Sequence, residues 1–392
     1  MPTESAFLLA GLLFIAAALG YVFARFGDED DAETPADQLS ADYLKGLNYV
    51  LNEQPDQAVE LFTRMAELDD EALETHFALG SLFRKRGEVD RAIRVHQNLI
   101  ARPSLSPAQK DQAAVALAED YLGAGLFDRA ETLFMKLCES PEFSHHSLTR
   151  LIRICESTRE WDRAIEFHAE LERIDPSVAD APEIAQYYCE LAEQARAVKD
   201  IATAREMLKK AEAGRSRTVR SQLIGANLAS DVGKNDDAIR LYRQVINESP
   251  DLLIEIIPRL ASSCKAADKD DELTRILREL MERDERHADA LAMAAVLDPS
   301  IGNSVALDAL QNFIANDSML NGLVDVDSLL HAGAVERVES LNRIRETLKR
   351  IVASKPRYVC EQCGYASLIM NWQCPGCRSW ETMKPETRIK LG

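Results

Sequence analysis

Hydrophobic and polar positions along the chain fall into three regimes. The first is a run from Ala6 to Ala24, "AFLLAGLLFIAAALGYVFA", nineteen residues without a charge. At about 1.5 Å of rise per residue it reaches roughly 28 Å, which predicts one membrane-crossing helix. The leading "MPTES" has no Lys or Arg and carries Glu4, unlike the positive start of a cleaved signal peptide, so the helix is expected to stay as an anchor. The second regime is a long succession of amphipathic helices in which small residues recur at fixed intervals. The third is a short cysteine-rich tail with no helical period.

The interval in the second regime is measurable. "GLNYVLNEQPDQAVELF" from Gly46 aligns with "GSLFRKRGEVDRAIRVH" from Gly80 at a period of 34, placing Ala58 on Ala92. Ala130, Ala164, Ala204, Ala238 and the weaker Leu273 continue the series in steps of 38, 34, 40, 34 and 35, the longer steps reflecting insertions such as "PSLSP" at Pro103 to Pro107. This unit resembles the tetratricopeptide repeat, in which a small residue in the first helix and an alanine in the second let two antiparallel helices cross closely. Gly46 and Gly80 match the first small position. Tyr49, Phe83 and Tyr121 match the aromatic of the first helix; Phe62, Phe134 and Tyr242 that of the second; Pro176 and Pro250 the proline that ends it. His96 and His168 share the slot of Phe62 and Phe134, which assigns them to packing. His145 and His146 have no carboxylate in register and read as surface residues. Beyond Leu273 the pattern decays, but "VALDALQNFIAN" and "VERVESLNRIRETLKRIVA" keep a helical period and read as degenerate capping hairpins, for eight or nine hairpins in all.

The expected fold is therefore all-α: a tetratricopeptide-repeat superhelix with an N-terminal transmembrane helix and a small C-terminal rubredoxin-like metal-binding module. The expected divisions are an anchor over 1–26, an acidic linker over 27–38, the repeat array over 39–354 and the metal module over 355–392. Stacked hairpins offer an extended binding face and no enclosed cleft, which favours a binding protein over an enzyme. No P-loop, G-x-G-x-x-G, H-E-x-x-H or G-x-S-x-G occurs, so neither catalytic nor cofactor-binding residues are assigned.

Charge narrows the partners. The last 38 residues contribute +3 and the first 26 balance, so residues 27–354 carry −22 of the total −19. A body of that sign does not bind nucleic acid. "DEDDAE" after the anchor reads as a solvated tether that holds the body off an anionic membrane surface, leaving the N-terminal helix as the membrane attachment. Ala16 and Gly20 form a small-x-x-x-small pair in that helix, a pattern common by chance.

The tail reads "YVCEQCGYASLIMNWQCPGC", with two Cys-x-x-Cys pairs ten residues apart. Paired knuckles of this spacing make a four-sulfur cage, so Cys360, Cys363, Cys374 and Cys377 are the expected ligands of one metal ion; two disulfides are the alternative, and the redox compartment decides. Arg25 flanks the anchor on its C-terminal side and points the body to the cytoplasm by the positive-inside rule. Cys138, Cys155, Cys189 and Cys264 are scattered singly, as suits a reducing compartment, so metal is expected over disulfides.

The three parts together resemble one family, lipopolysaccharide assembly protein B of Gram-negative bacteria, along essentially the whole chain. The residues that carry this are the anchor from Ala6, "ETHFALGSLFRKRGEVDRAIRVHQNLIARPSLS" from Glu74 and the cysteine tail. The tail departs from true rubredoxins in its short spacing between knuckles. With so little chain the metal is expected to be structural, zinc in preference to iron, and the "LIMNW" strip with Leu368, Ile369, Met370 and Trp372 is expected to pack on the final helices around "LNRIRETLKRIV". The resemblance implies an inner-membrane adaptor regulating lipopolysaccharide synthesis. It would help the membrane protease FtsH degrade LpxC, the deacetylase that commits precursor to lipid A, under restraint by a second inner-membrane protein. Two other readings share the same parts: a scaffold that gathers lipopolysaccharide-synthesis enzymes, and a redox protein that uses the cysteines electronically.

Overall fold

The computed structural model describes residues 35–52, 54–68, 73–179, 181–213, 218–283, 285–297, 305, 308–312, 346, 349 and 356–385. The candidate membrane helix and most of the linker lie outside them. Among the described residues no helix is long and apolar enough to cross a membrane.

Among the described residues fourteen helices succeed one another as seven helix–turn–helix pairs: α1 (Pro35–Leu51) with α2 (Pro55–Leu68), α3 (Leu73–Lys85) with α4 (Val89–Ile100), α5 (Pro107–Gly123) with α6 (Phe127–Leu137), α7 (Ser144–Thr158) with α8 (Trp161–Ile174), α9 (Pro182–Ala197) with α10 (Ile201–Ala213), α11 (Val219–Asp231) with α12 (Asn235–Glu248), and α13 (Leu253–Ala266) with α14 (Asp270–Arg283). α15 (Glu285–Leu297) follows, and Val305, Ala309 and Leu310 of the first expected capping hairpin are buried beside it in the same core. The second capping hairpin falls largely outside the described residues.

One device ends the first helix of six consecutive hairpins. Gly87, Gly125, Arg159, Lys199, Gly233 and Asp268 adopt left-handed backbone, each two residues before the partner helix. The next N–H then reaches back five residues, as in Glu88 to Phe83 at 2.8 Å and Leu126 to Tyr121 at 2.9 Å, which closes the helix and reverses the chain. Pro107 and the reciprocal bonds between Ser106 and Gln109 start α5 in the same local fashion.

The period read from sequence is the packing period. Ala58, Ala92, Ala130, Ala164, Ala204 and Ala238 are fully buried, and Leu273 takes the same place in α14. In the first two repeats the slot twelve residues before the alanine must be small: a Cβ on Gly80 would overlap the His96 ring, and one on Gly46 would overlap Phe62. His96 and His168 are buried as expected. His96 does more than fill space, since Asp120 of α5 accepts bonds from both its Nδ1 and Arg84 of α3. The neighbouring Glu119 turns the other way, taking His146 Nε2 at 2.9 Å and Arg150 Nε at 2.5 Å from α7. His146 thus has the carboxylate partner that local register did not reveal, because Glu119 lies one repeat away.

Contacts divide the chain into two compact units, residues up to Ile154 and residues from Cys155 onward. The second contains α8 to α15 and a three-stranded antiparallel sheet of order β2-β1-β3, built from β1 (Tyr358–Cys360), β2 (Ala366–Ser367) and β3 (Met383–Pro385). The sheet has almost no core of its own: Tyr358, Cys360, Cys374 and Met383 are its buried cluster.

Candidate metal centre

The cage is made by one local structure used twice. In the first knuckle Cys360 N–H donates to Tyr365 O at 2.8 Å and Gly364 N–H to Cys360 O at 2.9 Å; in the second, Cys374 N–H donates to Ser379 O at 2.9 Å and Arg378 N–H to Cys374 O at 2.8 Å. The fifth residue of each is left-handed, Gly364 at φ 74° and Arg378 at φ 63°. Glycine adopts that conformation freely, whereas arginine holds it at a cost. Gly376 sits tightly for another reason, since a Cβ there would lie 3.1 Å from Tyr365 Cβ and 3.2 Å from Cys363 Sγ.

None of the eight cysteines is joined in a disulfide. Cys360 and Cys377 sulfurs lie 3.6 Å apart, as do those of Cys363 and Cys374, and all four fall within 4.8 Å of one another. A tetrahedron with metal–sulfur bonds of about 2.3 Å has edges of about 3.8 Å, so the sulfurs already stand at the corners a single ion needs. Thr382 and the N–H groups of Cys363 and Gln362 aim at Cys360 and pull its thiol down to about 6. Ser379 lowers Cys377 through its hydroxyl and its N–H. Cys363 receives the Tyr365 N–H, but desolvation and the three other sulfurs push it up to about 12. Some thiols here ionise easily and others resist because the charges are crowded, which is the electrostatic situation that a dication relieves.

The sheet is seated on the helices of its own unit through residues close to the cysteines. Arg378, the strained residue of the second knuckle, donates to Ser157 Oγ of α7, and Trp380 Nε1 reaches Glu156 at 3.3 Å. Trp380 also packs edge-on against Trp161 and Tyr187, which stack on each other at 5.8 Å. Gln186 of α9 donates to Glu381 at 2.9 Å, Tyr358 to Glu255 of α13, and Lys384 pairs with Asp251 at 3.3 Å. At the centre Arg220 of α11 lies 5.3 Å from the Trp372 ring and 5.7 Å from the Trp380 ring, bound to Glu190 at 2.6 Å and to Gln186 at 3.3 Å.

The expected packing of the "LIMNW" strip is corrected in part. Met370 and Trp372 pack against the large core of α11 to α15, but Leu368 and Ile369 are 49% and 64% exposed. Leu368 and Ile369 lie in the bend that follows β2; "LNRIRETLKRIV" itself is largely outside the described residues. The docking residues Gln186, Arg220 and Glu255 went unnoticed in the sequence. Their one signal was a shared offset, each standing eighteen residues ahead of Ala204, Ala238 or Leu273.

The cysteine module, residues 358–385, matches the family model described as rubredoxin metal binding domain, and residues 75–108 match a tetratricopeptide repeat model. A solved structure of Pseudomonas aeruginosa PilF aligns with 55% of this chain and 93% of its own at 18% identity, with a TM-score of 0.33, too low to bear on the fold. Similarity to two bacterial relatives runs nearly end to end. Lipopolysaccharide assembly protein B of Escherichia coli K12 is 34% identical over 384 residues, covering 96% of this chain and 97% of that protein. The Haemophilus influenzae protein of the same name is 33% identical over 400 residues, covering 96% and 98%. Kinship of that extent shows that the chain belongs to the lipopolysaccharide assembly protein B family.

Proposed function

We propose that this chain is a non-enzymatic adaptor of the inner membrane that regulates lipopolysaccharide synthesis by presenting the deacetylase LpxC to the protease FtsH. The observation that carries this reading is the end-to-end kinship with the two assembly proteins, at 34% and 33% identity. In this reading residues 1–26 anchor the chain and 27–38 tether it. Residues 39–354 capture protein partners in the cytoplasm, and 355–392 form the metal module. Cys360, Cys363, Cys374 and Cys377 hold one structural ion, zinc in preference to iron, and a second inner-membrane protein restrains the adaptor.

Each part has a physical role. An anchor shared with a membrane protease raises their mutual concentration to about the millimolar range, so modest contacts suffice for delivery. The ion, when bound, neutralises the thiolates and fixes both knuckles; the chain's own Tyr358, Trp372, Arg378, Trp380 and Glu381 then carry that order to the helices.

The test is crosslinking in native membranes with identification of the captured proteins, combined with depletion of this chain. FtsH and LpxC among the partners, with LpxC accumulating on depletion, is the expected result. Capture dominated by lipopolysaccharide-synthesis enzymes, with LpxC turnover unchanged, would replace the adaptor by a scaffold.

A further inference from the structure

Three of the residues that hold the metal module form a single row along the second unit. Gln186, Arg220 and Glu255 occupy the same position in successive repeats, near the start of α9, α11 and α13, and each meets a different part of the module: Glu381, the two tryptophans and Tyr358. In earlier repeats that position holds Glu74 and Gln112, which are exposed, and His146, whose side chain is 41% exposed beside Glu119. Gln186 and Arg220 are only 2% exposed. The position is open to solvent in whole or in part in those repeats, and in the second unit the module covers it.

We propose that the module is a built-in ligand of this row, and that its displacement opens a binding site for a short extended segment of a partner protein with an aromatic residue set between basic ones. The chemistry of the occupant is read from what the row now holds. In sequence Trp380 stands between Arg378 and Lys384; Lys384 pairs with Asp251, Arg378 donates to Ser157 beside Glu156, and Trp380 reaches Glu156 and faces the guanidinium of Arg220, which Glu190 holds. Asp251 and Glu156 favour basic residues on either side of the aromatic one, and the planar guanidinium offers a stacking face that a lysine would lack. A tethered module at an effective concentration of about a millimolar that grips the row with an intrinsic dissociation constant of about 100 μM weakens any free segment roughly tenfold.

The probe is a fluorescent synthetic peptide with the sequence of Arg378 to Pro385, titrated into the full chain in detergent. Wild type is compared with Trp372→Ala/Trp380→Ala, whose zinc content is measured to show that the four cysteines still form their cage. The opened variant should bind at least about tenfold more tightly than wild type, and adding Arg220→Lys, or replacing the peptide's tryptophan by alanine, should remove the gain. Equal binding to both proteins, no saturable binding to the opened one, or binding indifferent to Arg220 would overturn the proposal. Each result concerns the row alone and is independent of whether the partners proposed above are FtsH and LpxC.

Discussion

Arg220 and Trp372 meet with guanidinium carbon and ring centroid 5.3 Å apart, joining a helix of the repeat array to the metal module across 152 residues of sequence. The arginine is buried and ion-paired to Glu190, whose side chain is 24% exposed. Removing one partner of a buried pair is costly because the other charge is left uncompensated, here tempered by that exposure. Arg220→Ala should lower the stability of the second unit by on the order of 3 kcal/mol and free the module. Urea unfolding and limited proteolysis ahead of Tyr358 measure both; a variant as stable and as protease-resistant as wild type would remove Arg220 from the centre of the interface.

A second buried charge lies in the first unit. Asp120 is fully buried and holds Arg84 and His96, in a slot that other repeats fill with Phe62 or Phe134. Asp120→Ala should cost about 3 kcal/mol, near the low end for broken buried pairs, because the Arg84 side chain retains 27% exposure. His96→Phe combined with Asp120→Ala should recover part of the loss by restoring the apolar slot. Chemical denaturation of the three proteins decides, and a double variant less stable than Asp120→Ala would refute the argument.

These pairs mark the limit of what the sequence discloses. Ala58 through Ala238 were legible because each is the small residue that lets two helices cross, and that requirement repeats with the chain. The cysteine cage was legible because its geometry is local: two residues separate each pair of sulfurs, and the turn between them does the rest. Asp120 with His96, Glu119 with His146 and Arg220 with Trp372 were not legible. Each joins elements far apart in sequence, and a lone polar residue on an apolar face reads the same whether or not a partner awaits it. The exposed Leu368 and Ile369 went wrong for a related reason, since hydrophobicity alone does not say which apolar residues of a short bend meet the core of another element.

Metal loss should undo the docking. Every module residue at the interface from Tyr358 to Glu381 lies within four residues of Cys360, Cys374 or Cys377, so their directions depend on the cage. Structural zinc contributes on the order of 10 kcal/mol in small modules, far more than the four-residue core around Tyr358 could replace. Cys374→Ser should lose its bound metal, expose the segment from Tyr358 to Trp380 to protease and, on the proposed adaptor role, abolish client turnover, while the first unit keeps its helices. Normal turnover by the metal-free variant would leave the cysteines without a structural role.

High pH should loosen the helices of the second unit. Burial pushes the Cys189 and Cys264 thiols up to about 11 and the Tyr242 hydroxyl to about 12, and Tyr187 is raised by burial beside Glu156. A group whose folded pKa lies above its unfolded value keeps its proton in the fold while the unfolded chain gives it up, so the stability it lends is whole below the unfolded pKa and declines as pH rises. For the two thiols the decline begins near pH 9 and is complete near 11, each contributing on the order of 2 kcal/mol. Urea midpoints measured between pH 8 and 10.5 with excess zinc should fall steadily, and Cys189→Ala/Cys264→Ala should flatten the fall, because alanine has no proton to lose. An equally steep fall in the double variant would assign the effect to the tyrosines, and a midpoint that does not move up to pH 10.5 would contradict the burial of all these groups.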